Sequence, residues 1–240
     1  MLPREVFVRR ARRQRAEPVG PSFELAWRAL DPPGTVLDVG AGAGAASLPL
    51  APRCTGLTAV DSDRELLDEL LAQAAEAGLV ASAVEGRWPD VAGRVEPADV
   101  VTCHHVLYNV PDLEPFVTAL TAHARRLVVV ELAARHPLTS LNELWLRFHG
   151  VERPAGPSAD DAIAVLRALG VEPRFESWTR PAAAEYASFD DLVDVTRRRL
   201  CLPAARAPEV AEAIGGLRGS LPDLGSSGRE LVTIWWAPRG

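Results

Sequence analysis

The sequence predicts an α/β fold built on a mostly parallel sheet. Short β-rich runs alternate with amphipathic helical stretches along most of the chain. The first run passes directly into a glycine-rich segment, Gly40, Gly42 and Gly44. The second run ends on an acid, Asp61, as the nucleotide-binding βαβ unit does.

Thr35–Val39 is expected to be the first strand, followed by the glycines and a helix through Leu50. Gly56–Val60 is the second strand. A helix from Ser62 to Ala77 follows, with Ser62 and Glu65 as a capping box and Gly78 as its stop. Val80–Glu85, Ala98–Thr102 and Leu127–Glu131 are the third to fifth strands, and a helix at Leu113–Ala124 capped by Asp112 lies between the last two. Beyond them the sequence predicts a helix over Leu138–Phe148 and another opened by Ser158 and Asp161 and closed by Gly170. A sixth strand at Arg174–Thr179 follows, then helices from Ser188 to Leu200 and over Pro208–Arg218, and a last strand at Leu231–Ala237. Residues 1–240 thus form one domain, with a helical arm at 1–30 and a helical insertion, or lid, at 182–228 between the last two strands.

Composition narrows the chemistry. All 26 basic residues of this 240-residue chain are arginine. Without lysine there is no Schiff base for pyridoxal-phosphate or class I aldolase catalysis, and no Walker-A or protein-kinase lysine. Cys54, Cys103 and Cys201 are widely spaced and suit a reducing, cytoplasmic setting rather than disulfides or zinc. No run has membrane-spanning length, and none suits a signal peptide. Six arginines fall within the first fifteen residues of a chain whose net charge is −6. Such an arm can touch nucleic acid, but Val6, Phe7 and Val8 give it an apolar face that can pack on the body.

Glycines admit a ligand close to the backbone. Asp61 can accept hydrogen bonds from both hydroxyls of a ribose. Gly40, Gly42 and Ala45 satisfy the relaxed dinucleotide fingerprint, so a nicotinamide cofactor is one reading. Asp38 favours another. A carboxylate is unwelcome beside a pyrophosphate and useful beside the cationic sulfonium and amino group of S-adenosylmethionine (SAM).

Val36-Leu-Asp-Val-Gly-Ala-Gly-Ala-Gly44 resembles motif I of the class I SAM-dependent methyltransferases, of the type 11/12 kind. Ala59-Val-Asp61 resembles the acidic end of their second strand. Asp99-Val-Val-Thr-Cys-His-His-Val-Leu-Tyr-Asn-Val-Pro-Asp112 resembles their fourth strand and its loop. The resemblance is good over about residues 30–135 and looser beyond. It implies a Rossmann-like sheet in the order 3-2-1-4-5-7-6 with helices on both faces, and SAM converted to S-adenosylhomocysteine. It also implies cofactor contacts at Asp38, Gly40, Ala41, Gly42, Gly44, Asp61, Ser62, Glu85, Gly86, Arg87, Trp88, Cys103 and His104. The sequence departs from the family after the third strand, where Arg87 stands near the usual adenine-reading acid. Glu85 or a backbone carbonyl is the substitute, and Trp88 is either a stacking partner or a core aromatic. The [DNS]PP[YFW] motif of many amino-group methyltransferases is absent.

For the acceptor, a proton-accepting group is wanted near the methyl, and His104, His105, Tyr108 and Glu131 are the catalytic candidates. Strand alternation points at most one of the two adjacent histidines into the site. His136 and His149 are further candidates on that side, His123 is expected in solvent, and no histidines have metal-ligand spacing. Arg197-Arg-Arg199 can recognise an anionic acceptor or form a solvated helix face, and Trp235 and Trp236 should point to opposite sides of the sheet. The expectation is a SAM-dependent methyltransferase with a small-molecule acceptor, no membrane partner and a possible homodimer. A non-catalytic SAM-binding module, an RNA methyltransferase using the basic arm, and an NAD-dependent oxidoreductase are the rivals.

Overall fold

The computed structural model describes residues 4–181, 186, 188–216 and 228–238. Its sheet has the order β3-β2-β1-β4-β5-β7-β6. The strands are β1 (Gly34–Val39), β2 (Cys54–Asp61), β3 (Ala81–Glu85), β4 (Ala98–His104), β5 (Ala124–Ala133), β6 (Arg174–Thr179) and β7 (Glu230–Trp236). The first five run parallel, and β7 is antiparallel to both β5 and β6. Among the described residues no helix is long and apolar enough to cross a membrane.

Apolar side chains alternate between two buried layers, because successive strand residues point to opposite faces. Leu37, Val39, Val101, Cys103, Val128 and Val130 pack on one face with Phe116, Val117 and Leu120 of α4 (Leu113–Ala122) and Ile163 and Leu166 of α6 (Ala159–Ala168). Val36, Val100, Leu57 and Val129 pack on the other with Ala26 of α2 (Pro21–Ala29) and Leu67, Leu70 and Ala74 of α3 (Arg64–Glu76). Trp236 joins the first layer and Trp235 packs against the second, as alternation requires.

Several boundaries differ from the sequence reading. The expected helix after the glycines is a run of turns and a 3-10 helix, Leu48–Arg53. Pro49 and Pro52 lack the N–H that α-helical pairing needs and clash with the preceding turn. The cap of α3 is Asp63, which accepts from Leu66 N at 3.2 Å, not Ser62. Ala124 already belongs to β5, and the helix expected at 138–148 divides into a 3-10 turn and α5 (Asn142–His149). The Ser158–Asp161 capping box is present.

Within the insertion, α7 (Phe189–Arg199) and α8 (Ala207–Gly216) share a small core with α5, built on Leu141, Leu144, Leu192, Leu200, Val210 and Ile214. The expected residues 182–185, 187 and 217–227 of the insertion lie outside the described residues. At the other end, α1 (Arg4–Ala16) lays Phe7, Val8 and Ala11 against Ala43 and Leu66. Its Arg12 pairs with Glu69 at 3.3 Å and Arg15 with Glu76 at 3.7 Å, so the arm is fastened along α3.

Candidate active site

The glycine loop lies at the C-terminal edge of β1, over the crevice where the chain's strand order reverses between β1 and β4. Gly40 N and Ala41 N both donate to Val60 O, at 2.8 and 3.1 Å. This bends the backbone out of the strand and across the end of β2. Gly40 has φ 72°, and a Cβ there would lie 2.3 Å from Val106 Cγ2. Gly42 has φ 51°, yet a Cβ there would meet nothing within 4 Å. Its missing side chain leaves open space on the ligand side. Gly44 instead makes room for Leu48 inside the core.

Asp61 closes the other side of the loop. Its Oδ2 accepts from Gly42 N at 2.8 Å and its Oδ1 from Asp63 N at 2.9 Å. Each carboxylate oxygen can accept about two hydrogen bonds, so each retains capacity for a hydroxyl. Gly40, Ala41, Gly42, Asp61, Ser62, Gly86, Arg87, Trp88, His104 and His105 line one cavity of about 480 Å³, together with Phe7 and Arg10 of α1. A wider groove of about 790 Å³ between α4 and β7 lies at the opposite end of the sheet, away from the glycine loop. Ligands of open α/β sheets bind at the C-terminal strand edges, so the smaller cavity is the candidate site.

Other predicted contacts are not on this wall. Asp38 is fully buried beneath the loop, where its Oδ1 accepts from Thr102 Oγ1 at 2.9 Å and ties β1 to β4. Burial raises its carboxyl above the ordinary value, against the opposing pull of the Ser47 hydroxyl, His104 and Thr102. The Ser47 hydroxyl lies beside Asp38 without meeting hydrogen-bond geometry. Cys103 is buried in the core, and burial pushes its thiol up. Glu85 is exposed on the edge strand, within Coulomb reach of Arg64. It does not line the cavity. Trp88 is a core aromatic, donating Nε1 to Phe116 O at 3.3 Å, and it also lines one edge of the cavity.

Both adjacent histidines reach the cavity, contrary to strict alternation. β4 ends at His104, and His105 leaves the strand with φ 61°, which turns its ring back toward the site. His105 N donates to Glu131 O at 2.7 Å. Glu131 is 1% exposed and does not line the cavity. Its Oε2 accepts from Ser22 Oγ at 2.5 Å, and its Oε1 takes Arg180 Nη2 at 2.5 Å and His105 Nε2 at 3.3 Å. Burial would raise the Glu131 carboxyl, but His105, His104 and Arg180 hold it well below the usual range. Burial pushes the His105 imidazole down, with Arg180 and Arg10 adding to the effect and Glu131 opposing it.

Tyr108 also stands off the cavity. Its ring meets His136 edge-on at 5.1 Å, and burial drives its hydroxyl far above the ordinary value. His136 caps a 3-10 turn, its Nδ1 accepting from Leu138 N at 3.2 Å. His149 Nε2 contacts Leu200 O at 2.7 Å and joins α5 to the end of α7. His123 is half-buried rather than solvated, between Ala119 O, Ala92 O and the Trp88 ring. Arg197 and Arg198 both bind Asp194 on their own helix, and Arg197 also donates to Leu202 O at 2.7 Å, so this pair serves the insertion.

Sequence reasoning missed Ser22 and Arg180. Neither sits in a motif, and each meets Glu131 across more than forty intervening residues. Phe7 was expected to pack the arm on the body, but neither it nor Arg10 was read as lining the cavity.

Residues 36–128 match the family described as a methyltransferase domain. No curated protein matches the chain. Solved structures of the same fold include a cyclopropane-fatty-acyl-phospholipid synthase-like protein from Lactobacillus casei. It is 15% identical with TM-score 0.60, and the match covers 96% of this chain and 92% of that one. The YcgJ protein of Bacillus subtilis is 18% identical with TM-score 0.58, covering 91% and 99%. The magnesium protoporphyrin IX methyltransferase of Synechocystis with bound S-adenosylhomocysteine is 15% identical with TM-score 0.53, covering 94% and 92%.

The domain match over residues 36–128 and the strand order together give the chain the Rossmann-like fold of the class I SAM-dependent methyltransferases.

Proposed function

We propose that this enzyme transfers the methyl group of SAM to a small-molecule acceptor in the cavity between the glycine loop and His104–His105. The continuity of that cavity, from the Asp61 carboxylate to the two imidazoles, carries the reading. The residues present suit the cofactor. Gly42 leaves open space where any side chain would intrude, and Asp61 retains an acceptor site on each oxygen. His104 Nε2 is buried without a hydrogen-bond partner at the far end of the same wall. Asp61 would hold the ribose hydroxyls, the Gly40–Gly42 backbone the adjoining chain, and Gly86, Arg87 and Trp88 the adenine. The adenine amino group would then be read by a backbone carbonyl, since Glu85 is not part of the cavity wall.

When bound, SAM supplies a methyl carbon already activated by its sulfonium. The protein has to align the acceptor, exclude water and take up a proton. Phe7 and Arg10 of α1 wall the cavity and limit the acceptor's size. The arm's fastening to α3 disfavours its use as a free nucleic-acid tether. The Synechocystis neighbour is named for a small molecule, magnesium protoporphyrin IX, which supports a small acceptor here too.

The test is a calorimetric titration with SAM and S-adenosylhomocysteine, then an assay of S-adenosylhomocysteine release over small hydroxyl-, carboxyl- and amine-bearing compounds. Binding with turnover supports the reading. Absence of SAM binding overturns it, and binding with no turnover on any compound favours a non-catalytic module.

A further inference from the structure

We propose that Arg87 selects the purine of the cofactor by donation: its guanidinium gives a hydrogen bond to a ring nitrogen on the edge that carries the amino group. This rests on the methyltransferase reading above and names the side chain that makes the site specific for adenine.

The chain delivers Arg87 to the cavity from the ribose end. Asp61 and Glu85 are register partners at the ends of β2 and β3. Gly86 N donates to Asp61 O at 2.9 Å, so the turn after β3 starts against the backbone of Asp61. Gly86 has φ 152°, and a Cβ there would lie 2.2 Å from Val91 Cγ1. Only glycine passes that point without strain. Arg87 and Trp88 come next, and both line the cavity. Trp88 and Phe116 are buried and joined by the bond from Trp88 Nε1, and Val110 and Pro111 add to the apolar lining. A flat base attached to a ribose at Asp61 therefore meets apolar surface and the Arg87 cation.

The carboxylates that line the cavity, among the described residues, are Asp61 and Asp63. Asp61 accepts from Gly42 N and Asp63 N, and Asp63 caps α3. Arg10 belongs to α1, and His104 and His105 to the end of β4, so these cations come from other walls. The Asn109 amide is the other polar side chain beside Val110 and Pro111. The Arg87 guanidinium itself makes no hydrogen bond or ion pair among the described residues.

Adenine presents a donor next to acceptors: its amino group donates, and the flanking ring nitrogens accept. Arginine has five N–H donors, no acceptor, and stays protonated. It cannot take the amino hydrogen, so it hydrogen-bonds this edge only by giving to N1 or N7. A carboxylate in its place would do the reverse, and would set its own lone pairs against those of the ring. With a backbone carbonyl on the amino group, as proposed above, the two contacts together read an acceptor and a donor. Arg87 is exposed, so water competes for its donors and the contact contributes at the modest end of the range for hydrogen bonds.

The test is calorimetric titration of the full chain with S-adenosylhomocysteine and with its 1-deaza and 7-deaza adenine analogues. Each analogue replaces one accepting ring nitrogen with a C–H group. The parent should bind one of the two about 3–10-fold more weakly than S-adenosylhomocysteine, which also tells which nitrogen is read. Arg87→Met should bind S-adenosylhomocysteine more weakly by a similar factor and should no longer distinguish that analogue. Arg87→Lys keeps a donor and should retain part of the discrimination. The urea midpoint of each variant checks that it is folded.

Equal affinity of the parent for all three ligands overturns the proposal. So does discrimination that survives in Arg87→Met, which would assign the reading to another group such as the Asn109 amide. An Arg87→Met loss without any discrimination by the parent overturns it as well, in favour of stacking. Absence of S-adenosylhomocysteine binding by the parent removes the methyltransferase reading and this proposal with it, whereas binding without discrimination removes only the proposal.

Discussion

Replacing Glu131 with alanine takes the carboxylate away from two donors, Ser22 and Arg180, and from the nearby His105 ring. The Arg180 side chain is only 14% exposed, so water replaces its lost partner poorly. Breaking a buried ion pair from one side costs about 3–5 kcal/mol, because the desolvation of the remaining charge is no longer compensated. Against a typical domain stability of about 5–15 kcal/mol, that loss is large enough to read directly in urea unfolding. Arg180→Met should cost a similar amount from the other side, since Glu131 then stays buried with less support. The double change Glu131→Ala with Arg180→Met removes both charges. It should be less destabilised than the two single losses added together, by about 1–3 kcal/mol. The measurement is the urea midpoint and slope for the four proteins of the cycle. Additivity within about 0.5 kcal/mol, or a Glu131→Ala loss below about 1 kcal/mol, would refute the idea that Glu131 is a charged hub.

The two glycines at 40 and 42 should separate stability from binding. Gly40→Ala combines a left-handed alanine, about 1–2 kcal/mol, with overpacking against Val106, about 1–3 kcal/mol, and should unfold early. Gly42→Ala carries only the conformational term of about 1–2 kcal/mol, yet its methyl enters the cavity and should weaken SAM binding more than it weakens the fold. Equal SAM affinity in Gly42→Ala and the parent contradicts the cradle. The pH dependence follows from His105, whose imidazole falls to about 4 in the folded protein. Its folded value lies below the unfolded one, so its contribution is present above about pH 6.5 and is lost as pH falls toward 4. Between these limits the parent should lose stability with a slope approaching about 1.4 kcal/mol per pH unit, and His105→Asn should flatten it. An unchanged slope in the variant, from urea midpoints at successive pH values, removes His105 as the source.

What was legible in the sequence was whatever lies in a contiguous stretch. Thr35–Val39, the glycines and Asp61 announce themselves because strand, turn and acid follow one another along the chain. The Asp112 and Ser158 caps are equally local. Errors arose where two local signals competed. Ser62 and Asp63 are both good caps, and only the backbone geometry selects Asp63. Pro49 and Pro52 outweighed the expectation of a helix after a glycine loop. Asp38 was expected at the cofactor; the structure places it buried under the loop and bonded to Thr102, a pairing that no single stretch of sequence displays. The Glu131 hub was only partly visible. Glu131 and His105 stood out as strand-end residues, whereas Ser22 and Arg180 meet them only through tertiary packing.

The central claim is that Asp61 and the glycine loop hold SAM. Calorimetric titration of the parent and Asp61→Ala with SAM tests it most directly. Binding by the parent, weakened by about 1.5–3 kcal/mol in Asp61→Ala at a temperature where both proteins are folded, is the predicted result. Absence of SAM binding by the parent, or equal affinity in the two proteins, would contradict it.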